Sequence, residues 1–88
     1  MSDPIVDQLR EQITAIDRSI IESVNRRLEL VASLKRYKDE NGIDFLDPDR
    51  ERSMFERAVS ENDGPLSEQG LRAFYTELLA LTKREVNP

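Results

Sequence analysis

Residues 3–42 read DPIVDQLREQITAIDRSIIESVNRRLELVASLKRYKDENG and predict one long helix. Asp3 is a favourable N-cap residue, and Pro4 suits the first helical position, where its missing N–H costs nothing. Neither Gly nor Pro then interrupts the stretch before Gly42, a residue type that commonly ends helices. Apolar residues recur at steps of three and four, namely Ile5, Leu9, Ile13, Ile16, Ile20, Val24, Leu28, Val31 and Leu34. This spacing places them on one face of the helix.

The length of this helix constrains the whole chain. At 1.5 Å per residue the helix spans roughly 55 Å, whereas a compact chain of this size has a radius of gyration of about 12 Å. We therefore expect the helix either to bend back or to present its apolar face to another chain.

Three basic residues of this helix, Arg10, Arg27 and Lys38, are candidate ligands for a small anion. Arg27 and Lys38 are about three turns apart, so they point the same way to within about 20° and can hold opposite ends of one molecule. Arg10 faces about 100° away from Arg27 and lies some 25 Å from it, so it reaches the same ligand only from the other chain of an antiparallel pair. The alternative is that all three are solvated helix charges.

Two shorter helices are expected after the long one. Asp47-Pro48 repeats the N-cap and proline pattern, and this second helix should end near the turn residues 61–65. Ser67 is an N-cap for a third helix that should fray at 86–88. We predict an all-α fold with three helices per chain, one long, one short and one medium. We expect a single domain over residues 1–88 and a helical bundle completed by a second copy.

The amino-acid composition excludes several classes of function for this chain. The chain carries 13 basic and 18 acidic residues, and its net charge of −5 argues against nucleic acid or an acidic membrane as the main partner. It has no cysteine and no histidine, so disulfides and thiolate metal sites are excluded and the commonest general base is missing. No apolar run approaches the roughly 20 residues of a membrane span, and we predict a cytoplasmic protein. Electrostatic catalysis remains, such as the rearrangement of an anion held in a reactive conformer.

Five ordered segments give the chain its resemblance to a known family. They are Leu9–Asp17 (LREQITAID), Asn25–Leu30 (NRRLEL), Lys35–Lys38 (KRYK), Asp47–Glu51 (DPDRE) and Asn62–Ser67 (NDGPLS). In this order and spacing they resemble the short, monofunctional all-helical chorismate mutases over nearly the whole chain. The resemblance implies an intertwined homodimer with two active sites. It also implies the Claisen rearrangement of chorismate to prephenate, in phenylalanine and tyrosine biosynthesis, without a cofactor.

The resemblance also implies roles for the basic residues of the long helix. Arg27 would bind one substrate carboxylate, and Arg10 of the other chain would bind the second. Lys38 would donate to the ether oxygen of the bond that breaks and to a carboxylate. Physical chemistry agrees with this assignment, because a cation beside an oxygen that gains negative charge stabilises the transition state more than the ground state.

The remaining roles implied by the resemblance belong to the two shorter helices. Asp47, through its backbone, and Glu51 would bind the ring hydroxyl of the substrate. Arg50 would organise the site around them. Thr82 stands where the family usually has serine, and its hydroxyl can still reach a carboxylate.

One position departs from the family pattern. Where the family has Gln or Glu as the second donor to the ether oxygen, this sequence has Val86, with Glu85 beside it. Glu85 serves as that donor only if helix slippage or local unwinding brings it into place. It must also be protonated, because a carboxylate cannot donate a hydrogen bond.

Two other functions stay open at this point. One is an enzyme of the same fold that acts on an amino-substituted chorismate or on isochorismate, because Glu51 favours a ring hydroxyl only weakly. The other is a non-catalytic helical interaction module. That alternative gives no reason for Arg27 and Lys38 to lie in register with the apolar face.

Overall fold

The computed structural model describes residues 3–86, which form three helices and no strand. Helix α1 spans Pro4–Glu40, α2 spans Pro48–Glu61 and α3 spans Glu68–Val86. This confirms the predicted all-α fold and the order of one long, one short and one medium helix. The expected fraying at residues 87 and 88 lies outside the described residues.

A capping side chain starts each helix at the predicted place. The Asp3 carboxylate accepts hydrogen bonds from two backbone N–H groups in the first turn of α1. The Asp47 carboxylate accepts from the Arg50 N–H at 3.1 Å, and the Ser67 hydroxyl accepts from the Gly70 N–H at 2.9 Å. Caps of this kind typically contribute about 1 kcal/mol each to the free energy of unfolding.

The end of α1 sets the direction of the connector to α2. Its C-cap is Asn41, one residue before the predicted position, and Gly42 follows with φ of 64°. The Ile43 N–H then donates to the Lys38 carbonyl at 2.8 Å, which turns the chain back beside the last turn of α1. A residue without a Cβ suits this left-handed conformation.

Helix α3 holds the chain together, because it packs against both α1 and α2. Among the described residues only Leu71 and Thr82 are buried, and both belong to α3. The chain measures 61 × 24 × 18 Å, with a radius of gyration of 17.0 Å. The longest dimension accommodates an unbent α1 of roughly 55 Å. The helix therefore projects beyond the other two and does not bend back.

The projecting half of α1 leaves its apolar face exposed. Its apolar side chains are between 49% and 67% exposed at Ile5, Leu9, Ile13, Ile16 and Ile20. Val24, Leu28 and Val31, further along the same face, are half-buried. None of the helices in residues 3–86 combines enough length with enough apolarity to cross a membrane.

We expect Gly42→Ala to lower the free energy of unfolding by about 1–2 kcal/mol, because an L-residue is unfavourable in the left-handed region. No atom lies within 4 Å of the added Cβ, so the cost is conformational and not steric. Gly64→Ala is the matched control. The described Gly64 has no positive φ, and its nearest neighbouring atom is 3.9 Å from the added Cβ. Urea unfolding at one protein concentration compares the variants, and equal midpoints would contradict a conformational requirement at Gly42.

Candidate active site

A cleft lies where the end of α1 and the connector meet α2 and α3. Its wall consists of Val31, Leu34, Lys38, Phe45, Leu46, Asp47, Arg50, Glu51, Met54, Leu79, Thr82 and Lys83. The cavity volume is about 120 Å³, below the roughly 300–1,000 Å³ of most small-molecule sites. The cleft within one chain is therefore smaller than a typical small-molecule site.

The wall combines apolar side chains with a few charged groups. The cations are Lys38, Arg50 and Lys83, and the carboxylates are Asp47 and Glu51. Among residues 3–86 no group of three or more acidic side chains is arranged to hold a metal ion. An apolar cleft with a few placed charges is typical of a site for a small organic anion.

Lys38 lies in the last turn of α1, half-buried, and its side chain lines the cleft. Its Nζ donates one long hydrogen bond to the Phe45 carbonyl at 3.4 Å. None of the ion pairs in residues 3–86 includes Lys38. An ammonium has three donors, so Lys38 has hydrogen-bonding capacity left for a ligand.

Arg27 reaches the cleft wall through Thr82. Its Nη1 donates to the Thr82 hydroxyl, and that hydroxyl donates its own proton to the Leu78 carbonyl at 2.7 Å. Thr82 is 7% exposed, so this pair of hydrogen bonds is shielded from water. The hydroxyl has only one proton. It can donate to a ligand only after releasing the Leu78 carbonyl.

The two carboxylates of the cleft are engaged in different ways. Asp47 caps α2 by accepting from the Arg50 N–H. Glu51 forms an ion pair with Lys83, with 3.6 Å between Oε1 and Nζ, and this pair joins α2 to α3. The Glu51 and Lys83 side chains are 35% and 51% exposed, so water screens the attraction between them.

Three residues with roles implied by the resemblance lie away from this cleft. Arg10 lies on the projecting half of α1, in a shallow exposed pocket beside Arg18. Glu85 is exposed, and Val86 lines a separate pocket with Lys35. Within one chain the helix register thus directs Glu85 and Val86 away from Lys38, and their assignment to the site stays a prediction.

The structure brings most of the other site residues together. The cleft collects Lys38, Asp47, Arg50, Glu51 and Thr82, with Arg27 held beside it through Thr82.

Sequence reasoning missed Lys83, which lines the cleft from α3. The signal was present in the helical period. Lys83 follows Leu79 by four residues, so it continues the apolar stripe of α3 with a cation.

The comparisons with known proteins point to one family. A family model described as chorismate mutase type II matches residues 9–86. The chain is 35% identical over 77 residues to the T-protein of Haemophilus influenzae, covering 82% of this chain and 20% of that protein. It is 30% identical over 54 residues to the 4-amino-4-deoxychorismate mutase of Streptomyces venezuelae, covering 61% of this chain and 52% of that protein. The chain thus spans only part of the length of these relatives.

A solved structure has the same fold. The chorismate mutase (form II) of Thermus thermophilus superposes with a TM-score of 0.86 at 26% identity, covering 93% of this chain and 94% of that chain. Form I of the same protein gives a TM-score of 0.84 at 27% identity, covering 88% and 96%.

We expect Thr82→Val to lower the free energy of unfolding by about 1–2 kcal/mol, because it keeps the side-chain shape but removes two shielded hydrogen bonds. Thr76→Val is the matched control. The Thr76 hydroxyl donates to the Arg72 carbonyl at 2.9 Å in the same way, but on an exposed face of α3. Its loss should change the free energy by less than about 0.5 kcal/mol. Equal effects of the two substitutions in urea unfolding would mean that the Arg27 contact contributes nothing.

Proposed function

This chain belongs to the chorismate mutase type II family, and we propose that it catalyses the rearrangement of chorismate to prephenate. The observation that carries the proposal is Lys38, which lines an apolar cleft and belongs to none of the ion pairs found in residues 3–86, with Arg27 held beside the cleft by Thr82. We further propose a role in phenylalanine and tyrosine biosynthesis in the cytoplasm.

The proposed reaction is an intramolecular isomerisation. One C–O bond of the enolpyruvyl ether breaks while one C–C bond forms to the ring, so no atom or electron is gained or lost. Negative charge grows on the ether oxygen as the C–O bond lengthens. Lys38 donates to this oxygen, and its charge lowers the energy of the transition state more than that of bound substrate.

The two carboxylates of the substrate hold it in the reactive conformer. The Arg27 guanidinium has five N–H donors, and its hydrogen bond to Thr82 leaves others for a bidentate contact with one carboxylate. Arg10 of a second chain binds the other carboxylate. Fixing both ends holds the enolpyruvyl group over the ring and removes the entropy cost of finding that conformation.

The remaining proposed contacts lie on α2 and α3. The Asp47 backbone and the Glu51 carboxylate bind the ring hydroxyl, because its proton needs an acceptor in the cleft. Arg50 organises the site beside them, and Thr82 contributes by holding the Arg27 guanidinium. These assignments are supported by the position of all four side chains in or beside one cleft.

We propose that the active form is a homodimer in which α1 of each chain supplies Arg10 to the other. The support is the apolar face of the projecting half of α1, which is uncovered within the chain. Burying one such side chain typically contributes about 1.5–3 kcal/mol. A cleft of about 120 Å³ that one chain leaves open is also consistent with a wall supplied by a second chain.

A second candidate function is the rearrangement of 4-amino-4-deoxychorismate. The observation that favours it is the similarity to the Streptomyces venezuelae mutase of that name. Glu51 is an acceptor for either a hydroxyl or an ammonium group, so it does not separate the two substrates by itself. Assays with purified protein on both substrates decide between the functions. Activity on neither substrate would favour the remaining alternative, a non-catalytic helical interaction module.

We expect Lys38→Ala and Arg27→Ala each to lower kcat/KM for chorismate on the order of 10²–10³-fold or more, the usual effect of removing a donor to developing charge. Loss of chorismate absorbance measures turnover, and far-UV circular dichroism checks the helices. Lys35→Ala is the matched control, because Lys35 lies on the same helix and pairs with Asp39 outside the cleft. Near-normal turnover of Lys38→Ala would remove Lys38 from the proposed mechanism.

We expect an equimolar, co-refolded mixture of inactive Arg10→Ala and Lys38→Ala chains to recover up to about a quarter of wild-type activity. Half of the dimers are then mixed, and each mixed dimer contains one intact shared site.

Mixing Arg27→Ala with Lys38→Ala is the control for this experiment. Both residues belong to the same chain of each proposed site, so every site in the mixed dimer has a defect and no recovery is expected. Equal recovery in both mixtures would contradict the sharing of Arg10. An active monomer in light scattering would contradict the dimer itself.

A further inference from the structure

The ion pair between Glu51 and Lys83 is part of the cleft wall. Their side chains, from α2 and α3, approach to 3.6 Å between Oε1 and Nζ inside the cleft that also contains Lys38. The mechanism proposed above uses Glu51 but gives Lys83 no task. Any group that approaches the Glu51 carboxylate from the cleft also experiences the charge of Lys83.

In the proposed mechanism Glu51 is the carboxylate that contacts the ring substituent of the substrate. The other carboxylate, Asp47, already accepts from the backbone N–H of Arg50 at the start of α2. Lys83 therefore offsets the charge of the carboxylate that faces the ring substituent in the proposed mechanism. A hydroxyl donates a hydrogen bond to the Glu51 carboxylate and is not repelled by Lys83, because it carries no charge.

We propose that Lys83 is a specificity-determining residue, which makes the cleft prefer a chorismate-type substrate with a ring hydroxyl over one with an amino group. This inference rests on the proposed function. An aliphatic amino group is protonated near neutral pH, as the lysine side chain is. Bound at Glu51, it would place a second cation on the carboxylate that Lys83 already contacts. Two positive charges beside one carboxylate repel each other.

The position of Lys83 fits a role in selectivity better than a role in folding. Its side chain is 51% exposed, and ion pairs as exposed as this one contribute little to the free energy of unfolding. Selectivity is different, because it depends on the difference between two substrates at one place. A nearby charge that is neutral toward one substrate and repulsive toward the other changes their ratio directly.

The test compares kcat/KM for chorismate and for 4-amino-4-deoxychorismate in the wild type and in Lys83→Gln. We expect the wild type to prefer chorismate. In Lys83→Gln the ratio should move toward the amino substrate on the order of tenfold, as expected for removing one partly screened like charge. Lys83→Arg keeps the charge and should keep the wild-type ratio. Arg52→Gln is the control for charge alone, because Arg52 pairs with Asp49 on the exposed side of α2.

The outcomes separate this inference from the proposed function. If the wild type converts chorismate and Lys83→Gln lowers kcat/KM for both substrates equally, Lys83 is structural and the inference falls alone. The inference also falls if Lys83→Arg and Lys83→Gln change the ratio alike. If the wild type converts neither substrate, the proposed function fails and the inference fails with it. A shifted ratio in Lys83→Gln only, with Lys83→Arg and Arg52→Gln like the wild type, supports the inference.

Discussion

The apolar face of α1 is the constraint on which the rest of the structure depends. A helix of 37 residues cannot be covered by partners of 14 and 19 residues, and among the helices of residues 3–86 only α3 packs against it. Water-exposed apolar area of this extent drives association, because burying it releases free energy roughly in proportion to the area. The projecting half also carries Arg10. In the proposed dimer, the contact that covers the face is therefore the contact that completes the site.

Helix α3 completes the cleft, because it packs against both the long helix α1 and the short helix α2. Leu71 and Thr82, the two residues of the described range that are buried, both lie on it. Thr82 fixes the Arg27 guanidinium on α1, and the next residue, Lys83, reaches Glu51 on α2. One turn of α3 thus sets the distance between the cationic groups of α1 and the acidic group of α2. A shift of α3 along its axis would change both contacts together.

Local signals made much of this fold predictable from the sequence. The caps at Asp3, Asp47 and Ser67 and the apolar period of α1 depend only on residues a few positions apart, and the structure confirms them. The resemblance to a known family added the candidate site residues around Lys38. Lys83 was missed although the helical period places it on the apolar stripe of α3, because only packing between helices decides that it meets Glu51 of α2 there. Packing between helices also decides which residues the last turn of α3 contacts, and no short sequence pattern predicts this.

Charge explains how an acidic chain can hold a basic site. The net charge of −5 is the sum over the whole chain, whereas three cations line the cleft. Not all of them are available to bind a ligand. Glu51 offsets Lys83, and the Asp47 carboxylate is directed at the start of α2. Lys38 and Arg50 remain, with Arg27 beside them. In the proposed dimer, Arg10 on the projecting half of a second α1 adds a further cation for the far end of a dianion. The acidic exterior meanwhile repels anions elsewhere, so in the proposed dimer attraction is focused on the place where the two chains would meet.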